Sequence, residues 1–197
     1  MIPVKILQSH KARLVRTRKD QILFNEGDKA TDYFQVEEGQ VRMFILNNEG
    51  KEFTQGVFQA GESFGEPALL GAFPYPSSAI SVTDSKVWRL PKPEFLQLLK
   101  ENFELHLKLD FVLCQRLQYK SMVLTEISAH TPEHRLVTIL NYLKSKMNAK
   151  GREKTIVPYT RQELADMTGL RVETVIRAIK KMEQEGKLII ENRKIKF

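Results

Sequence analysis

Short apolar runs separated by turn residues make up the chain between residues 11 and 90. Turn glycines recur at regular intervals through this region: Gly27, Gly39, Gly50 and Gly61. In the run QVRMFIL, the alternate residues Val41, Met43 and Ile45 fall on one face, as expected of a strand with one side in a core. Several short strands with regular turns are typical of an antiparallel sandwich or barrel. We therefore predict a β domain here.

The pattern becomes helical between Pro93 and Met147, where glycine is absent and Leu, Lys, Glu and Gln dominate. Pro132 interrupts this region. Before Pro132, apolar residues recur at mostly three- and four-residue spacing: Leu105, Leu109, Leu113, Leu117, Leu124 and Ile127. A long helix with such a wide apolar surface needs cover on more than one side. Two arrangements supply it, namely a symmetric partner or burial at the centre of a monomer.

The last part of the chain predicts two further helices joined by a tight turn. Thr160 and Glu163 have the spacing of a capping box, and Gly169 supplies the turn. The expected inner residues are Leu164, Ala165 and Met167 on the first helix, and Val172, Val175, Ile176, Ile179 and Met182 on the second. Helix, glycine turn and helix form the helix-turn-helix pattern, whose second helix enters the DNA major groove. The tail KLIIENRKIKF predicts two short strands around residues 191–193, which would be a wing.

The net charge of +7 is concentrated in this last part of the 197-residue chain. Residues 1–129 hold 16 basic and 16 acidic side chains, whereas residues 130–197 hold 15 and 8. A localised basic excess suits a partner with a phosphate backbone. A solvated surface whose charges face water is the alternative.

Composition excludes several classes of protein. No apolar run is long enough to span a membrane, and residues 1–20 lack the apolar core of a secretory signal, so we expect a soluble, cytoplasmic protein. The single cysteine, Cys114, cannot form an internal disulfide or hold a zinc ion or iron–sulfur cluster alone. His130 and His134 have a spacing that could ligate a metal, but Pro132 between them favours ordinary surface or capping histidines. No metal site and no catalytic residues are assigned, because no nucleophile–base pairing or phosphate-binding Walker loop is present.

Three motifs resemble the cyclic-AMP receptor protein/FNR family of bacterial transcription regulators: NEGDKATDYFQVEEGQV, the GE of FGEPALL, and TRQELADMTGLRVETVIRAIKKME. The resemblance covers essentially the whole chain. It implies an α+β protein with a jelly-roll effector domain at residues 1–100, a dimerisation helix at 101–130 and a winged helix-turn-helix domain at 131–197. It further implies a homodimer on a palindromic operator, with double-stranded DNA and a second copy of the chain as partners and RNA polymerase as a candidate partner.

The resemblance and the helix pattern select candidate DNA contacts in the second helix. Glu173 and Arg177 are four residues apart, so both reach the groove together, where a carboxylate accepts from cytosine N4 and a guanidinium bonds guanine. A surface ion pair between them is the alternative. Arg171 and Thr174 are close enough to touch bases or phosphate. The expected phosphate contacts are Arg161, Lys180 and Lys181. FNR-like helices commonly carry a serine before this arginine, and here the residue is Ile176, so the operator cannot be taken from that subgroup.

The stretch FGEPALLGAFPYPSSAI has the layout of the family's cyclic-nucleotide site but lacks its arginine. Gly65 and Glu66 match the residues that bind the ribose, Ser78 matches the end of the motif, and the arginine position falls on Ser77. A buried phosphate needs charge-assisted hydrogen bonds, so we do not expect cyclic AMP to bind in the usual way. The tentative effector pocket also includes three residues of the long helix. A solvent-facing role is preferred for Arg116 and Lys120, while Ser121 matches a residue that contacts the base in the family.

Three interpretations of this pocket remain open: a small and less charged effector, a pocket plugged by Phe73 and Tyr75, or a regulator with no effector. No cofactor is assigned. For the chain as a whole, the main hypothesis is a sequence-specific transcription regulator without catalytic activity. The alternative is a ligand-sensing or protein-interaction module whose winged helix docks a protein.

Overall fold

The computed structural model describes residues 2–47, 50, 52–129, 131–146, 155–192 and 194–197. The chain divides into two compact units, Met1–Arg116 and Leu117–Phe197. The division falls inside the long helix, which contributes residues to both units. The expected three-part organisation, with boundaries after residues 100 and 130, stays a prediction.

The first unit is built around antiparallel strands. Their bounds are β1 (Arg13–Thr17), β2 (Ile22–Phe24), β3 (Asp32–Glu38), β4 (Gln40–Leu46), β5 (Glu52–Gln59), β6 (Ser63–Phe64), β7 (Ser78–Ser81) and β8 (Ser85–Pro91). These strands form two four-stranded sheets, in the orders β1-β8-β3-β6 and β2-β7-β4-β5. The predicted β domain is confirmed.

Apolar residues alternate along the strands, and those that point inwards from both sheets form a common core. Val41 on β4 is fully buried and pairs with Ser81 on one side and Phe58 on the other. Phe34 on β3 and Phe64 on β6 stack with their ring centroids 5.3 Å apart, in the same apolar cluster. The buried aromatic rings therefore provide much of the apolar contact in this unit.

Helices cover a second apolar cluster of the first unit. Their bounds are α1 (Val4–Ser9), α2 (Glu66–Gly71), α3 (Lys92–Glu101) and α4 (Phe103–Ala129). Leu7, Leu90, Phe95 and Leu109 are buried together in this cluster. Asn102 separates α3 from α4, and its side-chain amide donates to the carbonyl oxygen of Leu98, 2.9 Å away. The N-terminal helix α1 and the short strand β6 were not expected from the sequence.

The second unit combines the end of α4 with three helices and a small sheet. The further elements are α5 (Pro132–Lys146), β9 (Ile156–Val157), α6 (Arg161–Thr168), α7 (Val172–Gln184), β10 (Ile189–Glu191) and β11 (Lys194–Lys196). The strands form an antiparallel sheet in the order β10-β11-β9. The segment KGREKTIVP is residues 150–158, and its first five residues, 150–154, which carry the predicted turn, lie outside the described residues. His130 and Arg193 also lie outside them.

Candidate DNA-binding surface and effector site

A complete capping box starts α6. The backbone N–H of Glu163 donates to Thr160 Oγ1 at 3.1 Å, and the backbone N–H of Thr160 donates to Glu163 Oε2 at 2.6 Å. The helix ends at Gly169, whose φ of 67° lies in the left-handed region where a residue without Cβ is favoured. The predicted cap and turn are confirmed, and they fix the position at which α7 begins.

Four residues of α7 face the core of the second unit: Val175, Ala178, Ile179 and Met182. They pack with Leu164 and Ala165 of α6 and with Leu136, Ile139 and Leu140 of α5. The expectation that Ile176 also faces inwards is wrong, because 39% of this residue is exposed. Residue 176 follows buried Val175 directly, and successive residues of a helix point about 100° apart, so it lies beyond the edge of the inner face.

Charged side chains occupy the outer side of α7. Glu173, Arg177 and Lys180 are exposed. Within the part of the chain that the structure describes, neither Glu173 nor Arg177 forms an ion pair, so the alternative of a bridge between them does not hold. Both side chains therefore keep their hydrogen-bonding groups for a partner.

The remaining candidate contacts lie around this helix. Arg171 is the exposed N-cap residue of α7, while Thr174 is half-buried in its first turn. Arg161 is the half-buried first residue of α6. Lys181 is exposed and pairs with Glu133 of α5, with 3.3 Å between Nζ and Oε1. Lys181 is thus partly engaged within the unit, whereas Arg171 lies next to the face formed by Glu173 and Arg177.

The candidate effector site is in the first unit, at the start of α2. Gly65 has a φ of 81°, and a Cβ there would lie 3.1 Å from Cε1 of Tyr75. Glu66, the first residue of α2, is completely buried. Its carboxylate accepts hydrogen bonds from the hydroxyl of Ser63 and from Arg116. Glycine at 65 allows the turn and the close packing of Tyr75.

Arg116 of α4 is turned towards Glu66, contrary to the preferred solvent-facing role. Its Nη1 lies 3.2 Å and 3.1 Å from the two carboxylate oxygens of Glu66, and its Nη2 donates to the carbonyl oxygen of Ser63 at 2.7 Å. The guanidinium also lies over the ring of Phe58, 5.1 Å from its centroid. Sequence reasoning did not select Ser63, although its position three residues before Glu66 repeats the spacing of a capping box.

Tyr75 occupies the region between Gly65 and the strand end at Phe24. Its ring stacks on that of Phe24 with centroids 3.7 Å apart, and its backbone N–H and C=O bond Asp28 and Gly27. Burial, followed by the nearby charge of Asp32, raises the pKa of Tyr75 to about 12. Of the two residues in the plug interpretation, Tyr75 is buried while Phe73 is 44% exposed.

The serines of the motif differ in their partners. The hydroxyl of Ser78 accepts from the backbone N–H of Glu26 at 2.9 Å. Ser77, at the position of the missing arginine, is completely buried, and its hydroxyl has no hydrogen-bond partner among the described residues. Lys120 and Ser121 are exposed residues of the second unit. Gly65, Glu66, Ser77, Ser78 and Arg116 thus all belong to the first unit.

Two family models match the chain. Residues 14–102 match the "Cyclic nucleotide-binding domain" and residues 134–197 match the "Crp-like helix-turn-helix domain". Among the described helices, none combines the length and the apolar character needed to cross a membrane.

Curated relatives and solved structures agree with these matches. The transcriptional activator protein FnrA of Stutzerimonas stutzeri is 25% identical, over 91% of this chain and 74% of the relative. The cAMP-activated global transcriptional regulator CRP of Haemophilus influenzae is 28% identical, over 83% and 74%. The fold is similar to that of a CooA mutant from Carboxydothermus hydrogenoformans, with a TM-score of 0.84, 20% identity and coverage of 100% and 87%. It is also similar to the c-di-GMP responsive regulator CLP of Xanthomonas campestris, with a TM-score of 0.80, 20% identity and coverage of 98% and 97%.

Proposed function

Because this chain belongs to the Crp/Fnr family of transcription regulators, we propose that it binds a palindromic DNA operator as a homodimer. It is a Crp/Fnr-type regulator with a helix-turn-helix DNA-binding domain. The observation that carries the proposal is the outer side of α7. Glu173 and Arg177 are exposed there and form no ion pair with any of the described residues, while Val175 and Ile179 anchor the opposite side in the core.

In this proposal, Glu173 and Arg177 are the residues that contact the bases. The two side chains are neighbours on the helix surface because they are four residues apart. In the major groove Glu173 accepts a hydrogen bond from cytosine N4, and Arg177 donates to O6 and N7 of guanine. Phosphate contacts come from the surrounding residues: Arg161, Arg171, Thr174, Lys180 and Lys181.

The dimer forms along α4. This helix leaves large apolar side chains exposed by between 46% and 69%: Phe103, Leu107, Phe111, Leu117 and Leu124. A row of exposed apolar residues on one long helix is unfavourable in water, and a second copy of the same helix covers it in an isologous contact. A dimer places two copies of α7 on one duplex, which matches a palindromic site.

The first unit does not take cyclic AMP in the usual way. Ser77 offers a neutral hydroxyl where the family's arginine would meet the phosphate, Glu66 is already held by Arg116, and Tyr75 packs against Gly65. A thermal-shift titration tests this point, with the cAMP-activated relative from Haemophilus influenzae as the positive control. We expect no stabilisation of this chain by micromolar cyclic AMP, and a clear rise in its melting temperature would contradict the proposal.

The central experiment selects bound fragments from genomic DNA and then measures affinity for the selected duplex by fluorescence anisotropy. Arg177→Ala is expected to cost about 1–3 kcal/mol on the selected duplex and to relax specificity at one base pair. Arg13→Ala is the matched control, because Arg13 is an exposed arginine on β1 of the first unit. Equal affinity of wild type and Arg177→Ala for the selected duplex and for random DNA would contradict the proposal and favour the alternative, a winged helix that docks a protein.

A further inference from the structure

The last turns of α4 have two opposite sides with different surroundings. Tyr119, Met122 and Val123 are partly buried against the apolar core of the second unit. Leu117 and Leu124, in contrast, are 66% and 69% exposed. Because successive residues of a helix point about 100° apart, the three partly buried residues lie together and the two leucines lie on the opposite side. This segment therefore packs on its own second unit with one side and leaves the other side for a second copy of α4.

An aromatic stack joins α4 to the rest of the second unit. The ring of Tyr119 lies on that of Tyr142 of α5, with the centroids 4.1 Å apart and 23° between the ring planes. Burial raises the pKa of Tyr119, and the phenol groups of Tyr142 and Tyr159 raise it further. Tyr159 directly precedes Thr160, the N-cap of α6. Tyr119 thus lies close both to α5 and to the segment that leads into α6.

The direction of α7 depends on that of α5. The two helices share one buried cluster, which includes Ile179 of α7 and Leu140 of α5, and closely packed helices move together. In the sequence, α4 and α5 are separated only by residues 130–131. Such a short connection limits the distance between two helices but leaves their angle to side-chain packing. The stack of Tyr119 on Tyr142 is therefore a contact through which α4 fixes the direction of α7.

We propose that Tyr119 is a positioning residue, which sets the distance between the two half-sites that a dimer accepts. This inference rests on the proposed function, in which α4 forms the dimer and each α7 enters the major groove of one half-site. The half-sites of such a dimer are about 34–36 Å apart, which is one turn of the duplex. The two α7 helices keep that separation only if each is held at a fixed angle to its α4. A flat ring stack holds this angle, because a tilt of α5 would separate the two rings.

The experiment uses the full chain and duplexes in which one or two base pairs are inserted or removed at the centre of the selected site. One base pair shifts a half-site by about 3.4 Å and turns it by about 34–36°. For the wild type, fluorescence anisotropy is expected to show about tenfold weaker binding, or more, at each altered spacing. Tyr119→Ala is expected to reduce this ratio to about threefold or less, because α7 then adjusts its direction to the duplex. Tyr119→Phe keeps the ring and should discriminate as the wild type does.

Two further variants separate positioning from a general loosening of the second unit. Tyr119→Leu keeps an apolar side chain but loses the stacked ring, so it should also accept altered spacings, with a smaller loss of thermal stability than Tyr119→Ala. Phe197→Ala is the matched control, since Phe197 is a partly buried aromatic residue that packs on the same core after β11. It should lower stability and keep the wild-type preference for one spacing. The Tyr119 variants should remain dimers in analytical ultracentrifugation, because Leu117 and Leu124 lie on the other side of the helix.

The outcomes separate this inference from the proposed function. Wild-type spacing ratios in a folded Tyr119→Ala or Tyr119→Leu protein overturn the role of Tyr119 alone, and so does an equal relaxation in Phe197→Ala or the loss of the dimer in the Tyr119 variants. If thermal unfolding shows that Tyr119→Ala does not fold, Tyr119→Leu decides. Failure of the wild type to bind any selected duplex, or to prefer one spacing, overturns dimeric operator binding as well.

Discussion

Removing the guanidinium of Arg116 is expected to destabilise the first unit strongly. Glu66 is completely buried, and two of its hydrogen bonds come from Arg116 at 3.2 Å and 3.1 Å. In Arg116→Met the aliphatic part of the side chain is kept, but Glu66 retains only the hydroxyl of Ser63 as a partner among the contacts described above. The carbonyl oxygen of Ser63 also loses its bond from Nη2.

The size of the effect follows from the burial of the pair. Removing one partner of a buried ion pair typically costs about 3–5 kcal/mol, because a desolvated charge is left behind. The side chain of Arg116 is 26% exposed, so water can reach the vacated position in part, and we expect a value near the lower end, about 3 kcal/mol. That is a large fraction of the roughly 5–15 kcal/mol that stabilises a typical domain.

Urea unfolding followed by the fluorescence of Trp88 measures this change. Trp88 is the single tryptophan of the chain and is 6% exposed within the first unit, so it reports on that unit. With an m-value of about 1–3 kcal/mol per molar urea, the midpoint should fall by about 1–3 M. Lys86→Met is the control, because the pair between Lys86 and Glu38 is exposed and such pairs contribute only about 0–1 kcal/mol.

A double-mutant cycle decides whether the ion pair is the cause. Glu66→Gln combined with Arg116→Met removes both charges, so the double variant should be more stable than Arg116→Met alone by about 1–2 kcal/mol. The reasoning fails if Arg116→Met costs no more than Lys86→Met, or if the double variant loses the sum of the two single changes.

Three further predictions concern other parts of the chain. Phe111→Glu places a carboxylate on the exposed apolar side of α4, where Phe111 is 64% exposed, and is expected to give a monomer in analytical ultracentrifugation. Thr160→Ala removes the cap of α6 and should cost about 1 kcal/mol in thermal unfolding, whereas Thr160→Ser should cost little. Hydrogen bonds to the backbone carbonyl of Ile6 and to Glu101 raise the pKa of His10. Because the pKa of His10 is higher in the folded than in the unfolded state, protonation of His10 stabilises the fold. This stabilisation is complete below about pH 6.5 and is lost as the pH rises, so wild type should exceed His10→Gln in stability at about pH 5 but not at about pH 8.

Much of the fold could be predicted because its signals are local. Alternation in QVRMFIL, the turn glycines and the capping box of Thr160 and Glu163 each depend on residues close together in sequence. The N-terminal helix α1 has no comparable signal, since it lacks a side-chain cap. It is held by long-range contacts: Leu7 is buried in the cluster that contains Tyr33 and Phe95, and just before the helix the backbone of Ile2 bonds the side chain of Gln35.

The pairing of Arg116 with Glu66 could not be predicted for the same reason. Fifty residues separate the two side chains in the sequence, and a positive charge on a long helix is ordinarily solvated. The decisive fact is that Glu66 is fully buried at the start of α2, where a carboxylate requires a charged partner. The spacing of Ser63 and Glu66 is a local signal that these two side chains interact. Which arginine pairs with Glu66, however, depends on how α4 packs against the first unit's strands.

Ile176 shows a different limit of pattern reasoning. Apolar residues at 172, 175, 176, 179 and 182 form a regular helical stripe, so isoleucine at 176 fits the expected core. The buried face of α7 is narrower than that stripe, because it consists of Val175, Ala178, Ile179 and Met182, whereas residue 176 is 39% exposed. A stripe wider than the surface it packs against leaves one apolar residue on the outside.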